Sequence, residues 1–477
     1  MNNVIGLTNR HILSYCIAFT AIACIFLLNK IDFIFFLPLV LGIAFIYFLK
    51  PDTIWTSIAF FTPLSINPND VDLGDLSVAF PTEPLLILLV FFFFYISLNK
   101  TTFDKNVLLH PFSILIYIYF IWLGITSLTS THKIVSFKFL LAKIWFIVPC
   151  YFLGIQYFKD ENKIIQFLKY FTIGISIVAA FNFIHLSFYG FGDKPSQWTM
   201  KPFFKDHTIL GAILGIAIPI SLGTFRLAKS TLSKYFFFIC FIVQLACLIV
   251  TFSRAAWASI IAALLVYIIL QLKIKFKYLI GILVFVLIYI MMNITTIMMN
   301  LEKNKVSSSD DVVENVESMS NISTDASNLE RINRWASAVE MWREKPILGF
   351  GPGTYMFEYA PYQLSYNLTE ISTNFGDVGN AHSEYLGPLA ETGMLGMLLF
   401  IAILFLSFHC GFHAYYSTEN RTKRILISTS ICALSTYYLH GLLNNFLDTD
   451  KAAVIFWTLT AILIYFHIEV KKSKAKI

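Results

Sequence analysis

Apolar runs long enough to form helices across a membrane recur along the whole chain, at about 12–28, 33–49, 53–66, 84–98, 111–128, 139–157, 165–189, 208–225, 235–250, 256–270, 278–299, 385–409, 425–443 and 453–468. Hydrocarbon offers backbone amides no partner, so such runs must close their own hydrogen bonds as helices. About 20 residues carry a helix across the roughly 30 Å apolar layer. The third run is short and ends near Pro63 and Pro68, which reads as a re-entrant or broken helix, so 12–14 spans are expected. Composition agrees: 13% of residues are charged and 57% hydrophobic, whereas a soluble chain carries about 25% charged residues. The expected fold is all-α, a polytopic integral membrane protein. The first run is followed almost at once by the second with no small-residue cleavage site between them, so it is expected to stay in the protein.

If all runs cross, the short loops on one side, with both termini, collect nineteen Lys and Arg and those on the other side eight. Positive charge favours the cytoplasmic side, which places both termini in the cytoplasm of a bacterial inner membrane and the long loop 300–384 on the outer, periplasmic face. The net charge of +6 therefore reads as topology and not as a nucleic-acid surface. Four segments follow: N-terminal helices over 1–204, further helices over 205–299, the loop over 300–384, and C-terminal helices with a short basic tail over 385–477. Within the loop, 300–328 is rich in Ser, Asn and Asp and reads as a flexible linker. Over 329–345, Ile332, Trp335, Val339 and Trp342 recur at helical spacing after a capping-box pair, Ser327 and Glu330. That predicts an amphipathic helix on the outer membrane surface with its Trp residues in the headgroup layer. All seven cysteines fall in or beside apolar runs, so neither a disulfide nor a thiol-ligated metal is expected.

Three features carry charge or proton chemistry to the outer face: Ser253-Arg254 opening an apolar run, Arg331 and Arg334 on the loop helix, and His382-Ser383 just before the next run. Each alone has a structural reading, respectively a snorkelling interfacial arginine, a solvated helix face and a hydrogen-bonded histidine. Their convergence on one face favours function. Pro346 to Gly353 is glycine-rich but lacks the Lys-Ser/Thr ending of a phosphate loop and reads as a turn. Gly211 and Gly215 mark close helix packing. No metal-ligand motif is present, and the metal and cofactor expectation is none.

Taken together, Ser253-Arg254 at a helix start, Arg331 four residues before Trp335, the Pro346–Gly353 turn, and His382-Ser383 followed by Gly393-x-x-Gly396 resemble the O-antigen ligase family, which includes related O-antigen and exopolysaccharide polymerases. The resemblance covers roughly residues 205–400. It implies a GT-C-like membrane glycosyltransferase with a large periplasmic loop, taking a glycan from undecaprenyl pyrophosphate without metal or nucleotide. By position Arg254 and Arg331 correspond to arginines that hold the donor pyrophosphate and His382 to the functional histidine, with Arg334 an additional candidate and Ser383, Gly393 and Gly396 as motif support. The acceptor is lipid A-core for a ligase and a lipid-linked glycan for a polymerase. Met397-Leu398 stand where ligases often carry threonines, which weakens the choice between the two. A lipid-oligosaccharide flippase is the competing class, and it calls for polar residues at mid-depth in several helices, whereas here the candidates gather at one surface.

Overall fold

The computed structural model describes residues 52–67, 78–98, 103–281, 326–365 and 379–474, with isolated positions between 285 and 293 and at 368. The chain divides into two compact units, 1–57 and 58–477. Of the first, only Asp52–Ser57, the opening of a helix, is described. The runs at 12–28 and 33–49, Cys16 and Cys24, nearly all of 278–299, and the linker up to residue 325 lie outside the described residues.

The described chain is helical. In order, the main helices are α1 (Asp52–Phe61), α2 (Thr82–Leu98), α3 (Pro111–Leu128), α4 (Lys133–Tyr157), α5 (Glu161–Ser187), α6 (His207–Leu227), α7 (Thr231–Val250), α8 (Arg254–Gln271), α9 (Ala326–Glu344), α10 (Leu386–Ser417), α11 (Arg421–His440) and α12 (Asp450–Lys474). Among the described residues eight of these, α3 to α8, α10 and α12, are long and apolar enough to cross a membrane. Three other runs depart from the simple count. The run at 53–66 gives only the ten-residue α1 before the chain turns at Pro63. At 1.5 Å per residue, α1 is too short to span. The run at 84–98 gives the 17-residue α2. The run at 425–443 gives α11, whose Ser and Thr residues lower its hydropathy and which its neighbours bury over most of its length.

The break after α1 is fixed by charge. The Lys451 ammonium donates to the carbonyls of Thr62 at 2.9 Å and Pro63 at 3.3 Å, and the Ser65 hydroxyl pairs with the Asp450 carboxylate. Carbonyls released where a helix ends inside protein need donors, and the first turn of α12 supplies one. Pro149 interrupts α4 in the same spirit: a π-turn over Val148–Leu153 absorbs the hydrogen bond that proline cannot make.

Helix starts follow their sequence signals. Asp160, Asp206, Ser230 and Asn420 each accept a first-turn amide. Packing follows the small residues. A Cβ on Gly211 would meet Ser253 and Ala256 at about 3 Å, and one on Gly215 would meet Ser259 and Thr436. A Cβ on Gly223 would strike Thr429. α6 therefore runs parallel to α8 and antiparallel to α11, in contact with both. Lipid tails are as apolar as leucine, so close backbone approach of this kind is what holds helices together in a bilayer. The five described cysteines are buried free thiols.

Candidate functional site

The helix directions bring three ends together. The starts of α6 and α8 and the end of α11 share one end of the bundle, and the segment before α10 joins them, since the Glu384 amide donates to the Gly441 carbonyl at 2.8 Å. The described parts of the loop, 326–365 and 379–384, are bound to the same end. Met394 N donates to Pro346 O at 3.1 Å, Phe350 N to Ala390 O at 3.1 Å and Gly351 N to Glu391 O at 2.7 Å. The Pro346–Gly353 segment is thus a turn, as expected, and its backbone docks on a kink in α10. Gly393 makes the kink, with φ 70° and ψ −176°, a conformation open essentially to glycine alone. A Cβ there would lie 2.0 Å from the Ile347 carbonyl oxygen. At Gly396 a Cβ would collide with Thr392. The two motif glycines therefore shape the kink and the fit of the turn.

Arg254 opens α8, preceded by Phe252 in a left-handed conformation. No side chain caps this helix start, and a helix N-terminus beside a guanidinium favours an anion. Arg331 sits half-buried on α9 and acts electrostatically on His207, His382 and His440. His382 is also held in a left-handed conformation, φ 48°. Its amide donates to Asn380 Oδ1 at 3.0 Å, and its carbonyl accepts the Trp335 indole at 3.2 Å. Ser383 is buried, and its hydroxyl accepts the amides of Tyr385 at 3.2 Å and Leu386 at 3.3 Å, so it caps the entry to α10. Burial, reinforced by the charges of Arg331 and Arg334, pulls the His382 imidazole down to about 4, so the ring is unprotonated at neutral pH.

Arg334 is turned inward. Its Nε lies 2.6 Å from the Glu330 carboxylate and its guanidinium 3.8 Å over the Tyr359 ring, which stacks on Tyr355. The Tyr355 hydroxyl returns to the Arg334 carbonyl at 2.7 Å. α9 begins at Ala326, so Ser327 lies in its first turn, and Glu330 pairs with Arg334 rather than closing a capping box. The buried stripe of α9 is Glu330, Asn333, Arg334, Ser337, Ala338 and Met341, whereas Ile332, Trp335, Val339 and Trp342 are half-buried. The expected apolar stripe is thus offset from the face that packs, because ion pairing and small residues seat the helix. Trp335 spends its indole on the His382 carbonyl.

Two residues of the site gave no signal in the sequence reading. Asn444 acts on the His382 ring, and its Nδ2 lies 3.2 Å from His440 Nε2. Both residues are buried. The polar cluster from His440 to Asn445, set between two apolar runs, was the available clue. Glu384, also buried, accepts the amides of Phe446 at 2.7 Å and Leu447 at 2.8 Å. Burial, with Asp448 nearby, raises its carboxyl above the usual range.

Among the described residues one grouping has metal-ligand chemistry: His110, Cys410 and His467, at the other end of the bundle. His110 Nδ1 accepts the Phe112 amide at 3.2 Å, and its Nε2 lies 2.9 Å from His467 Nδ1. A metal on Nε2 would require a proton on Nδ1, setting donor against donor at Phe112. The cluster is a helix cap with a histidine partner.

A comparison with curated proteins gives no match. The family model described as O-antigen ligase matches residues 239–401, about a third of the chain and the stretch that contains Arg254, Arg331, His382 and both motif glycines. Over that stretch the chain is similar to the O-antigen ligase family.

Proposed function

We propose that this protein is a periplasm-facing glycosyltransferase of the bacterial inner membrane. It moves a glycan from undecaprenyl pyrophosphate to an acceptor hydroxyl, in the ligase manner, with lipid A-core as acceptor. The observation that carries the reading is the unprotonated His382 ring, under the charge of Arg331, at the bundle end where α8 begins with Arg254. Guanidinium groups match phosphate oxygens with paired donors. They stabilise the charge that gathers on pyrophosphate as its bond to the sugar breaks. His382 takes the proton of the acceptor hydroxyl as the new bond to the anomeric carbon forms. The atoms balance: one carbon–oxygen bond replaces another, the proton goes to the imidazole, and the pyrophosphate lipid leaves. The donor's own phosphosugar bond drives the transfer, so no nucleotide is required. Arg334, committed to Glu330 and Tyr359, positions the helix that bears Arg331.

The test is transfer of labelled glycan by purified protein in detergent, with lipid A-core and lipid-linked glycan offered separately. Glycan on lipid A-core, lost in His382→Ala and Arg254→Ala, supports the ligase. Lengthening of the lipid-linked glycan makes the protein a polymerase with the same site chemistry. Donor binding without transfer to either acceptor would overturn the enzyme reading in favour of an exporter.

A further inference from the structure

The other end of the bundle, which the Lys and Arg tally assigns to the cytoplasm, holds an open cavity of about 190 Å³ between helix ends. It is lined by Arg226 and Gln271 at the ends of α6 and α8, Tyr415 near the end of α10, Glu419, and Arg421 and Arg424 in the first turn of α11. Three guanidiniums meet there against one carboxylate. Two of them are held by neutral groups. Arg226 Nη1 donates to the Tyr267 hydroxyl at 3.2 Å, and Arg424 Nη2 donates to the Tyr415 hydroxyl at 3.2 Å with its guanidinium 4.8 Å over that ring. A tyrosine orients a guanidinium without cancelling its charge, so the cavity keeps about two uncompensated positive charges. Like charges gathered this way repel unless an anion joins them.

We propose that this cavity binds the phosphate headgroup of an anionic phospholipid. Its place at the ends of membrane-crossing helices sets it at headgroup depth, where basic pockets between helices recognise such lipids. The surface beside it suits an acyl chain. Leu222 lies one turn before Arg226 on α6, Leu264 and Ile268 lie on the same stripe of α8 as Gln271, and all three are exposed. Only 22% of the α8 span is buried inside the protein, so that helix presents most of its surface to lipid. The bound lipid would tie together the far ends of α6, α8, α10 and α11, the helices whose opposite ends carry the candidate site.

The experiment is native mass spectrometry of the full-length protein, delipidated in detergent and titrated with phosphatidylglycerol or phosphatidylcholine. Phosphatidylglycerol is expected to bind at least tenfold more tightly. That preference should fall about fivefold for each guanidinium removed in Arg226→Gln, Arg421→Gln and Arg424→Gln, and should survive in the corresponding Lys variants. Millimolar glycerol phosphate should leave the lipid in place. Equal binding of the two lipids by the wild type overturns the proposal whether or not the variants fold. So does an unchanged preference in folded Gln variants, and displacement of the lipid by glycerol phosphate would make the cavity a site for free anions instead.

Discussion

His382 carries the chemistry in the proposed reaction, and its surroundings set the pH at which it can act. With its imidazole drawn down to about 4 by burial and by Arg331 and Arg334, it is a base throughout the neutral range, and transfer should fail only as pH drops through that value. Arg331→Gln removes one of the depressing charges, so the acid limb of the kcat/KM profile should move to higher pH, while the rate at neutral pH falls on the order of a hundredfold through loss of a pyrophosphate donor. A limb that stays in place would separate Arg331 from His382. The same shift bears on stability. Between about 6.5 and 4 the unfolded chain binds a proton at this position that the folded one does not, so stability contributed here falls as pH is lowered across that window. Glu384 makes a second prediction. Glu384→Ala strands the buried amide of Leu447, costing about 1–3 kcal/mol, and leaves that of Phe446 only its longer bond to the Tyr437 hydroxyl. Glu384→Gln keeps an acceptor oxygen and should lose much less, as thermal unfolding in detergent would measure. Arg254 and His382 were visible in the sequence because each is a charged or titratable residue at the edge of an apolar run, and Arg331 because it stands on the amphipathic helix of the long loop. Asn444 was not, because its influence on His382 comes from more than 50 residues away, and spacing alone does not report that.

At the scale of elements, the site depends on a turn docked on a kink. Gly393→Ala would force a left-handed, extended backbone onto a residue with a side chain, at about 1–3 kcal/mol, and would press a methyl into the Ile347 carbonyl. The Pro346–Gly353 turn should detach, seen as new protease cleavage near residue 350 and loss of transfer with the bundle still folded. Cleavage unchanged from wild type would mean that the kink is not what seats the turn. Gly211 sits where α6 meets the start of α8, so Gly211→Ile should displace Arg254. Transfer should fall at least tenfold, whereas the same change at Gly124, which faces open space, should leave it intact. The helices and the small-residue contacts were legible because both are local patterns. The seating of α9 was not, since an apolar stripe predicts which face avoids water but not that Arg334 would be sunk with Glu330 and stacked on Tyr359.

For the molecule as a whole, the two ends differ in chemistry: histidines, Arg254 and Arg331 at one, an arginine-lined cavity at the other. The proposed topology predicts that a cysteine placed at Lys345 reacts with an impermeant maleimide in intact spheroplasts, while one at Ser473 reacts only after permeabilisation. The reverse pattern would invert the sidedness of the site. The sequence by itself determined the solvent, the helical class, the order of the apolar runs and the family likeness of the central stretch, because each follows from residue type and near-neighbour spacing. Only the tertiary structure decided which runs become full spans, which arginine is buried, and which groups act on the His382 ring. Those outcomes depend on contacts between segments far apart in the chain, where a few ångströms of backbone approach, permitted by one glycine or one released carbonyl, select among arrangements that the local pattern leaves equivalent.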